Sequence, residues 1–205
     1  MSVPPGVAVD PPFRVLMVCT ANLCRSPMGE RLLRAAVTRP GGAPAWEITS
    51  GGVQGFDALP MHAMAAQTLQ ERGIDVDGFA SRPLSREMLE ESDLVLTATR
   101  AHRAAAVQLA PRTIKRTFTL FQFARLAAAV PPMGPMSPER AGRSLVAEAL
   151  LARSDVPAAT GDEDDLKDPI GLPIEAFRRC ADEIATAVAA IVLPVGLGPA
   201  RVVHD

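Results

Sequence analysis

Apolar positions along the chain follow two spacings, one typical of buried strands and one typical of helices. Residues 13–19 are almost all apolar, as expected for a parallel strand that helices cover on both faces. Apolar side chains at 174–191 recur every three or four positions, which predicts a helix with one buried face. The same patterns predict further strands at 46–50, 93–97 and 114–119, and further helices after residue 26 and at 61–69. Strands that alternate with helices predict an α/β fold around a parallel sheet.

Residues 127–167 interrupt this alternation. A proline-rich stretch at 131–135 comes first, then a predicted helix at 138–153, then the acidic residues 162–165, which we expect to form a solvated face. About forty residues cannot bury much core alone, so we interpret this segment as an insertion in one domain. We expect that domain to span 13–193, after a flexible lead-in at 1–12 and before a tail at 194–205.

Composition narrows the class of protein. The chain has 205 residues, 48% of them hydrophobic, with a formal net charge of −2 and no basic block, which favours neither nucleic acid nor an anionic membrane as partner. Three cysteines are too few for a disulfide framework and favour a reducing cytoplasm. The longest apolar stretch falls short of the ~20 residues that cross a membrane, and the first residues do not resemble a secretory signal. The three histidines show no metal-ligand spacing.

The candidate chemistry lies where the first strand ends. Cys19 is followed by five residues, then Arg25, and then Ser26 and Pro27, which predict the start of a helix with Ser26 as its N-cap. A tight loop before a helix can direct backbone N–H groups at a tetrahedral oxyanion. Arg25 adds a planar fork that holds two phosphate oxygens at once. A thiolate on Cys19 beneath such a phosphate would be a nucleophile in line with phosphorus.

The other residues of this loop strengthen that interpretation. A cysteine at a strand end is often only a small buried side chain. Asn22, however, suits a left-handed backbone in a tight curl, and the Ser26 hydroxyl could face the thiolate as well as cap the helix. We therefore expect residues 19–26, here called the phosphate loop, to form the active site. The predicted substrate-binding residues are Thr20, Ala21, Asn22, Leu23, Cys24, Ser26 and, outside the loop, Phe56.

The stretch from Val15 to Glu30 resembles the signature of the low-molecular-weight protein tyrosine phosphatases, whose bacterial relatives include phosphoarginine phosphatases. The resemblance extends through 49–52, 73–75 and 92–97 to the Asp-Pro-Ile-Gly at 168–171. It implies a flavodoxin-like fold with a four-stranded parallel sheet and helices on both faces, a phosphorylated protein as substrate, no metal and no organic cofactor. It also implies that Cys19 is the nucleophile, Arg25 the phosphate clamp and Asp168 the general acid.

A carboxylic acid near the loop has a clear task, because the departing oxygen or nitrogen needs a proton. The residues alone do not separate Asp168 from Asp162, Asp164 and Asp165. We choose Asp168 because Pro169 stiffens the adjacent backbone, because a helix follows, and because the family motif lies there.

Several departures from the family pattern bear on the substrate. The family often has tyrosines after its Asp-Pro, whereas this chain has Ile170-Gly171 and no tyrosine at all. Leu23 favours an aryl substrate, because the phosphoarginine enzymes usually carry a small polar residue there. Phe56 could supply an aromatic wall or could be ordinary core packing. Phe79 stands where many members have a histidine that supports the loop, so that support is expected to be missing or replaced.

Two cysteines and two rival functions remain open. Cys24 could form a reversible disulfide with Cys19 or simply pack, whereas Cys180 is expected to pack. Thiol-dependent arsenate reduction is an alternative on the same fold, but those enzymes use further downstream cysteines and 81–102 contains none. A non-catalytic phosphate-binding module is the other alternative.

Overall fold

A computed structural model describes residues 10–38 and 44–197. Four parallel strands form one sheet in the order β2-β1-β3-β4. All four strands point the same way, so their carboxyl ends meet at one edge, where Cys19 lies opposite Gly52. The predicted four-stranded parallel sheet is confirmed. The strands are β1 (Phe13–Cys19), β2 (Trp46–Gly52), β3 (Leu94–Thr97) and β4 (Thr117–Thr119).

Seven α-helices in the described residues cover the two faces of the sheet. The larger face packs against the first, second, fifth, sixth and seventh helices, and the smaller face packs against the third and fourth. The helices are α1 (Arg25–Val37), α2 (Ala63–Gln70), α3 (Arg86–Glu91), α4 (Arg100–Leu109), α5 (Leu120–Ala128), α6 (Pro138–Leu151) and α7 (Ile174–Val192).

The side chains of β1 alternate between two cores. Phe13, Val15 and Met17 point into the larger core, and Leu16 and Val18 point into the smaller one. Because both faces of the strand are buried, its sequence is nearly continuously apolar, as predicted. The central position of β1 places the phosphate loop at the middle of the sheet edge.

Segment 127–167 contributes to the larger core. Helix α6 buries Ala141, Leu145 and Ala149. A Cβ added at Gly142 would lie 2.6 Å from the ring of Phe13, so the helix approaches β1 as closely as a glycine allows. The segment is therefore packed against the sheet, although its origin as an insertion stays a prediction.

The acidic stretch differs from our expectation. Asp164 is only 7% exposed and accepts a hydrogen bond from Arg125 at 2.7 Å. Asp165 accepts hydrogen bonds from the backbone and the side chain of Arg100. The prediction of a solvated face is wrong for Asp164, holds only in part for Asp165, whose side chain is 28% exposed, and holds for Asp162 and Glu163, which are exposed. Burial of the Asp164 carboxylate is tolerated because Arg125 is its cationic partner.

The ends of the chain are described only in part. Residues 1–9 of the predicted lead-in and 198–205 of the predicted tail lie outside the described residues. Asp10 accepts a hydrogen bond from Ser137 at 2.6 Å, which ties the end of the lead-in to α6. Among the described residues, no helix is both long and apolar enough to cross a bilayer.

Candidate active site

The phosphate loop is curled tightly and held from outside. Asn22 has φ of 58°, the left-handed conformation that its residue type tolerates. The carbonyls of Cys19, Thr20 and Leu23 accept hydrogen bonds of 2.9–3.0 Å from the backbone of segment 53–62, which follows β2. In a trans peptide the next N–H points opposite to the carbonyl. The amides that follow these three carbonyls therefore point toward the inside of the curl, as an oxyanion site requires.

The candidate nucleophile is buried and has one close polar contact. Cys19 Sγ lies 3.0 Å from Ser26 Oγ. That hydroxyl accepts a hydrogen bond from Asn22 Nδ2 at 2.9 Å, so its own proton can be donated to the sulfur. Helix α1 begins at Arg25 after Cys24, so the prediction that Ser26 is the N-cap is wrong. The Ser26 hydroxyl instead faces the cysteine from the first turn of the helix.

A chain of hydrogen bonds supports the loop from behind. Asn22 Nδ2 also donates to Ser50 Oγ at 2.9 Å, and Ser50 donates to Glu30 Oε2 at 2.6 Å. Arg34 donates to the other oxygen of Glu30 at 2.9 Å. Because Glu30 is buried, this charge partner keeps its carboxylate satisfied. These hydrogen bonds therefore link the conformation of the loop to a buried ion pair on α1.

Phe79 lies close to this ion pair but takes no part in the hydrogen-bond chain. It is half-buried and lines a cavity together with Glu30, Arg31 and Arg34. Behind the loop, the polar contacts come from Ser50, Glu30 and Arg34 and not from residue 79. Whether they replace the usual histidine support or that support is missing stays a prediction.

Arg25 and Asp168 meet at the mouth of the loop. Arg25 is 6% exposed, and its Nη1 donates to the Leu166 carbonyl at 3.2 Å. Its Nη2 donates to Asp168 Oδ2 at 2.5 Å and to Thr20 Oγ1 at 3.2 Å. Residues 143 positions apart in sequence are therefore brought into one site. A phosphate that binds to Arg25 must compete with the carboxylate of Asp168.

The segment that carries Asp168 is anchored by the two acidic residues that we expected to be solvated. Asp164 pairs with Arg125 on α5, and Asp165 accepts from the first backbone amide of α4 at 2.7 Å. Between the acidic pair and Asp168, the Leu166 amide donates to the carbonyl of Ala98, just after β3, at 2.8 Å. These contacts hold Asp168 over the loop. Sequence reasoning missed them, because acidic residues in a run are more often exposed.

His102 is a second feature that the sequence did not indicate. It lies in the first turn of α4 and is 7% exposed. Its Nε2 is 2.8 Å from Thr20 Oγ1 in the phosphate loop, and its Nδ1 is 2.7 Å from Thr99 Oγ1. Burial lowers the pKa of His102 to about 4, and the Arg25 charge adds to this shift against the opposing effect of Asp168 and Asp165. The ring is therefore neutral at pH 7.

Apolar side chains stand exposed on two segments that adjoin the loop. Phe56 is 57% exposed and belongs to segment 53–62, which is hydrogen-bonded to the loop near both of its ends. Its exposure excludes ordinary core packing. Ile170 and Leu172 are also exposed, directly after Asp168. Exposed apolar groups beside a polar cleft are suited to contact an apolar part of a ligand.

The three cysteines are free and buried. Burial raises the pKa of Cys24 to about 12 and, on α7, that of Cys180 to about 12. Both thiols therefore stay protonated at neutral pH and are weak nucleophiles. Cys180 packs as expected, whereas a redox role of Cys24 stays a prediction.

Comparison with known proteins places this chain in a family. The family model described as "Low molecular weight phosphotyrosine protein phosphatase" matches residues 14–130. The phosphatase Etp of Escherichia coli K12 is 37% identical over 109 residues, which cover 53% of this chain and 70% of Etp. A protein-arginine-phosphatase of Geobacillus stearothermophilus is 29% identical over 177 residues, which cover 86% of this chain and 92% of that protein.

Solved structures agree with these matches. The low molecular weight protein tyrosine phosphatase of T. tengcongensis has a TM-score of 0.64 at 27% identity, covering 88% of this chain and 97% of that one. The YwlE arginine phosphatase of Geobacillus stearothermophilus has a TM-score of 0.63 at 28% identity, covering 88% and 90%. Since the family model spans more than half of the sequence, the chain belongs to the low molecular weight phosphotyrosine protein phosphatase family and is a phosphatase.

Proposed function

We propose that the protein removes phosphate from phosphotyrosine in protein substrates through a phosphocysteine on Cys19, with Arg25 as phosphate clamp and Asp168 as general acid. The observation that carries this proposal is the meeting of the three groups at one loop. Cys19 lies 3.0 Å from Ser26, and Arg25 bonds to Asp168 across the loop mouth. Nucleophile, clamp and acid are the parts that transfer of a phosphoryl group to a thiol requires.

In the first step, the phosphoryl group binds the inward amides of the loop and the Arg25 guanidinium. The Ser26 hydroxyl stabilises the thiolate of Cys19, which attacks phosphorus. The S–P bond forms as the P–O bond to the tyrosine breaks, and Asp168 gives its proton to the departing oxygen. The hydrogen bond between Asp168 and Arg25 supports this role, because it holds the carboxyl group at the mouth of the site, on the side where the leaving group would lie.

In the second step, water hydrolyses the phosphocysteine. Asp168, now a carboxylate, takes a proton from the water while the water oxygen forms a bond to phosphorus. The S–P bond breaks, inorganic phosphate is released, and the Ser26 hydroxyl again stabilises the thiolate. The hydrogen-bond chain from Asn22 to Glu30 keeps the loop in one conformation through both steps.

Apolar groups around the loop support an aryl substrate. Leu23 is partly buried in the loop itself, and Phe56 and Ile170 are exposed on the two adjoining segments. The aromatic ring of a phosphotyrosine whose phosphate lies in the loop would bury apolar surface against side chains of this kind, which favours the free energy of binding. The free cysteines support a reducing compartment, and we propose the cytoplasm.

Phosphoarginine is the second candidate. It is supported by the match to a protein-arginine-phosphatase over 86% of the chain, a longer alignment than the one with Etp. Leu23 argues against it, because a leucine offers the guanidinium no hydrogen bond. Both substrates use the same nucleophile and clamp. The preference between phosphotyrosine and phosphoarginine therefore depends on the side chains that surround the phosphate loop.

One experiment tests the nucleophile and the substrate together. We expect the protein to hydrolyse a phosphotyrosine peptide faster, by kcat/KM, than a phosphoarginine peptide of the same sequence. Cys19→Ser should show no turnover while it still binds inorganic phosphate, because the clamp and amides remain. Cys180→Ser, another buried cysteine but outside the loop, should behave like the parent. Turnover in Cys19→Ser would refute the phosphocysteine, and a preference for phosphoarginine would reverse the substrate assignment alone.

A further inference from the structure

The hydroxyl of Thr20 lies between the phosphate loop and α4. Its Oγ1 is 2.8 Å from His102 Nε2 and 3.2 Å from Arg25 Nη2. The same arginine nitrogen also bonds to Asp168. The hydroxyl therefore stands beside the oxyanion site, next to the groups that the proposed mechanism uses.

Both ring nitrogens of His102 have hydroxyl partners. Nε2 contacts Thr20, and Nδ1 lies 2.7 Å from Thr99 Oγ1. Thr99 is the N-cap of α4, and its oxygen also accepts the backbone amide of His102 at 3.2 Å. The histidine thus connects the helix cap to the phosphate loop through one rigid ring.

Each neutral tautomer leaves one hydroxyl proton without an acceptor among the described residues, and the two tautomers differ in which threonine carries that proton. If the proton is on Nδ1, Thr99 Oγ1 accepts from both the ring and the backbone amide, and its own proton has no acceptor among the described residues. If the proton is on Nε2, Thr99 donates to Nδ1 and every group of the cap is satisfied. Thr20 Oγ1 then accepts from both His102 and Arg25, and its own proton is free to be donated.

We propose that His102 is a positioning residue whose Nε2–H holds the Thr20 hydroxyl as an acceptor, so that the proton of Thr20 is donated to the phosphoryl group in the loop. This inference rests on the proposed function, because it assumes that the phosphoryl group binds beside Arg25. Thr20 is then a substrate-binding residue through its side chain as well as its backbone.

The electrostatic setting is consistent with this assignment. The pKa of His102 is lowered to about 4, chiefly by burial, so that at neutral pH the ring has one proton and two inequivalent nitrogens. A cationic ring would donate from both nitrogens and would leave the Thr99 proton without its acceptor. Because the ring is neutral, a phosphoryl oxygen bound beside Thr20 favours the proton on Nε2, since only that tautomer gives both threonine protons an acceptor.

Nitrogen NMR of the imidazole rings tests the tautomer directly. The chain has three histidines, and loss of one set of signals in His102→Gln identifies those of His102. With inorganic phosphate bound, we expect Nε2 to be protonated and Nδ1 to be unprotonated at pH 7. A proton on Nδ1 would overturn the proposal, because Thr20 would then donate to the ring and not to the phosphoryl group.

Binding of inorganic phosphate tests the consequence. In the Cys19→Ser background, Thr20→Val should weaken phosphate binding by about tenfold to hundredfold, as expected for one hydrogen bond to a charged group. His102→Phe should weaken it similarly, and the double variant should be no worse than Thr20→Val alone. His102→Gln should recover part of the loss, because its amide can donate to the same oxygen.

Controls separate positioning from stability. Ser137→Ala removes the N-cap of α6, away from the loop, and should lower stability without affecting phosphate binding. If His102→Phe only lowers the melting temperature, or if its effect multiplies with that of Thr20→Val, the proposal is refuted. Turnover in Cys19→Ser would instead refute the phosphocysteine mechanism. The His102 proposal would then still be judged by the tautomer and by the phosphate titrations, which do not depend on the nucleophile.

Discussion

Replacing Asp168 with Asn removes the proposed general acid and also the carboxylate that pairs with Arg25. An acid contributes about 10²- to 10⁴-fold where the leaving group needs a proton, and little where it leaves as a stable anion. We therefore expect Asp168→Asn to lower kcat by about 10²- to 10⁴-fold for a phosphate ester of a phenol resembling tyrosine. For an activated aryl phosphate the loss in kcat/KM, which reports the phosphorylation step, should stay below about tenfold, and the phosphocysteine should accumulate as a burst because its hydrolysis also uses Asp168.

The same substitution should tighten oxyanion binding. Asp168 Oδ2 lies 2.5 Å from Arg25 Nη2, and the Asp168 side chain is 41% exposed. An ion pair with such exposure contributes roughly 0.2–1 kcal/mol, so its loss should favour binding of inorganic phosphate by at most about fivefold. A variant that loses rate while gaining affinity for phosphate is difficult to explain by a general structural defect.

The assay is a series of aryl phosphates with increasing leaving-group pKa, measured for the parent, Asp168→Asn, Asp164→Asn and Asp165→Asn. The last two variants weaken the anchors that hold Asp168, so they should lower stability, by roughly 1–3 kcal/mol for the buried Asp164, and give at most a smaller loss of rate with the same dependence on the leaving group. The reasoning fails if Asp168→Asn shows one small uniform loss while Asp164→Asn or Asp165→Asn shows the graded loss.

Three further predictions use other parts of the site. Arg25→Lys should reduce kcat/KM severely, because one ammonium cannot hold two phosphate oxygens as a guanidinium does, and a near-normal rate in the same assay would place the clamp elsewhere. After mild peroxide, thiol should restore the parent more fully than Cys24→Ser if Cys24 protects Cys19, and equal recovery would leave Cys24 as packing. Because the pKa of His102 is lowered to about 4 on folding, the folded state should lose about 2 kcal/mol between pH 7 and pH 5 relative to His102→Gln, measured by urea unfolding. Identical pH dependence in both proteins would contradict the buried neutral ring.

Local patterns in the sequence were enough to predict the framework. The run at 13–19 matches β1, because a strand covered on both faces is apolar at every position. The helical spacing at 174–191 matches α7, whose buried face includes Phe177 and Ile184. The strand at 114–119 is shorter than predicted, since a 3-10 helix at Pro111–Arg116 takes up its first residues. Strand and helix periods are local properties, and so they can be seen without the fold.

The supports of the site depend on contacts between distant residues. His102 is 82 positions from Thr20, and Asp165 is 65 positions from Arg100. No local pattern distinguishes a buried acid from a solvated one, so Asp164 and Asp165 were expected to be exposed. The predicted N-cap at Ser26 lies two residues too late, because the helix starts after Cys24 and leaves the Ser26 hydroxyl facing Cys19.

The contact between Gly142 and Phe13 has a consequence for how this protein can vary. The Phe13 ring is itself packed edge-on to Trp46 with centroids 4.8 Å apart, so it cannot move aside for a larger residue on α6. The Trp46 ring in turn donates to the Pro138 carbonyl at 2.9 Å, where α6 begins. Segment 127–167 is thus co-adapted with the first two strands. It cannot be exchanged for the corresponding segment of a relative without also changing the residues beneath it.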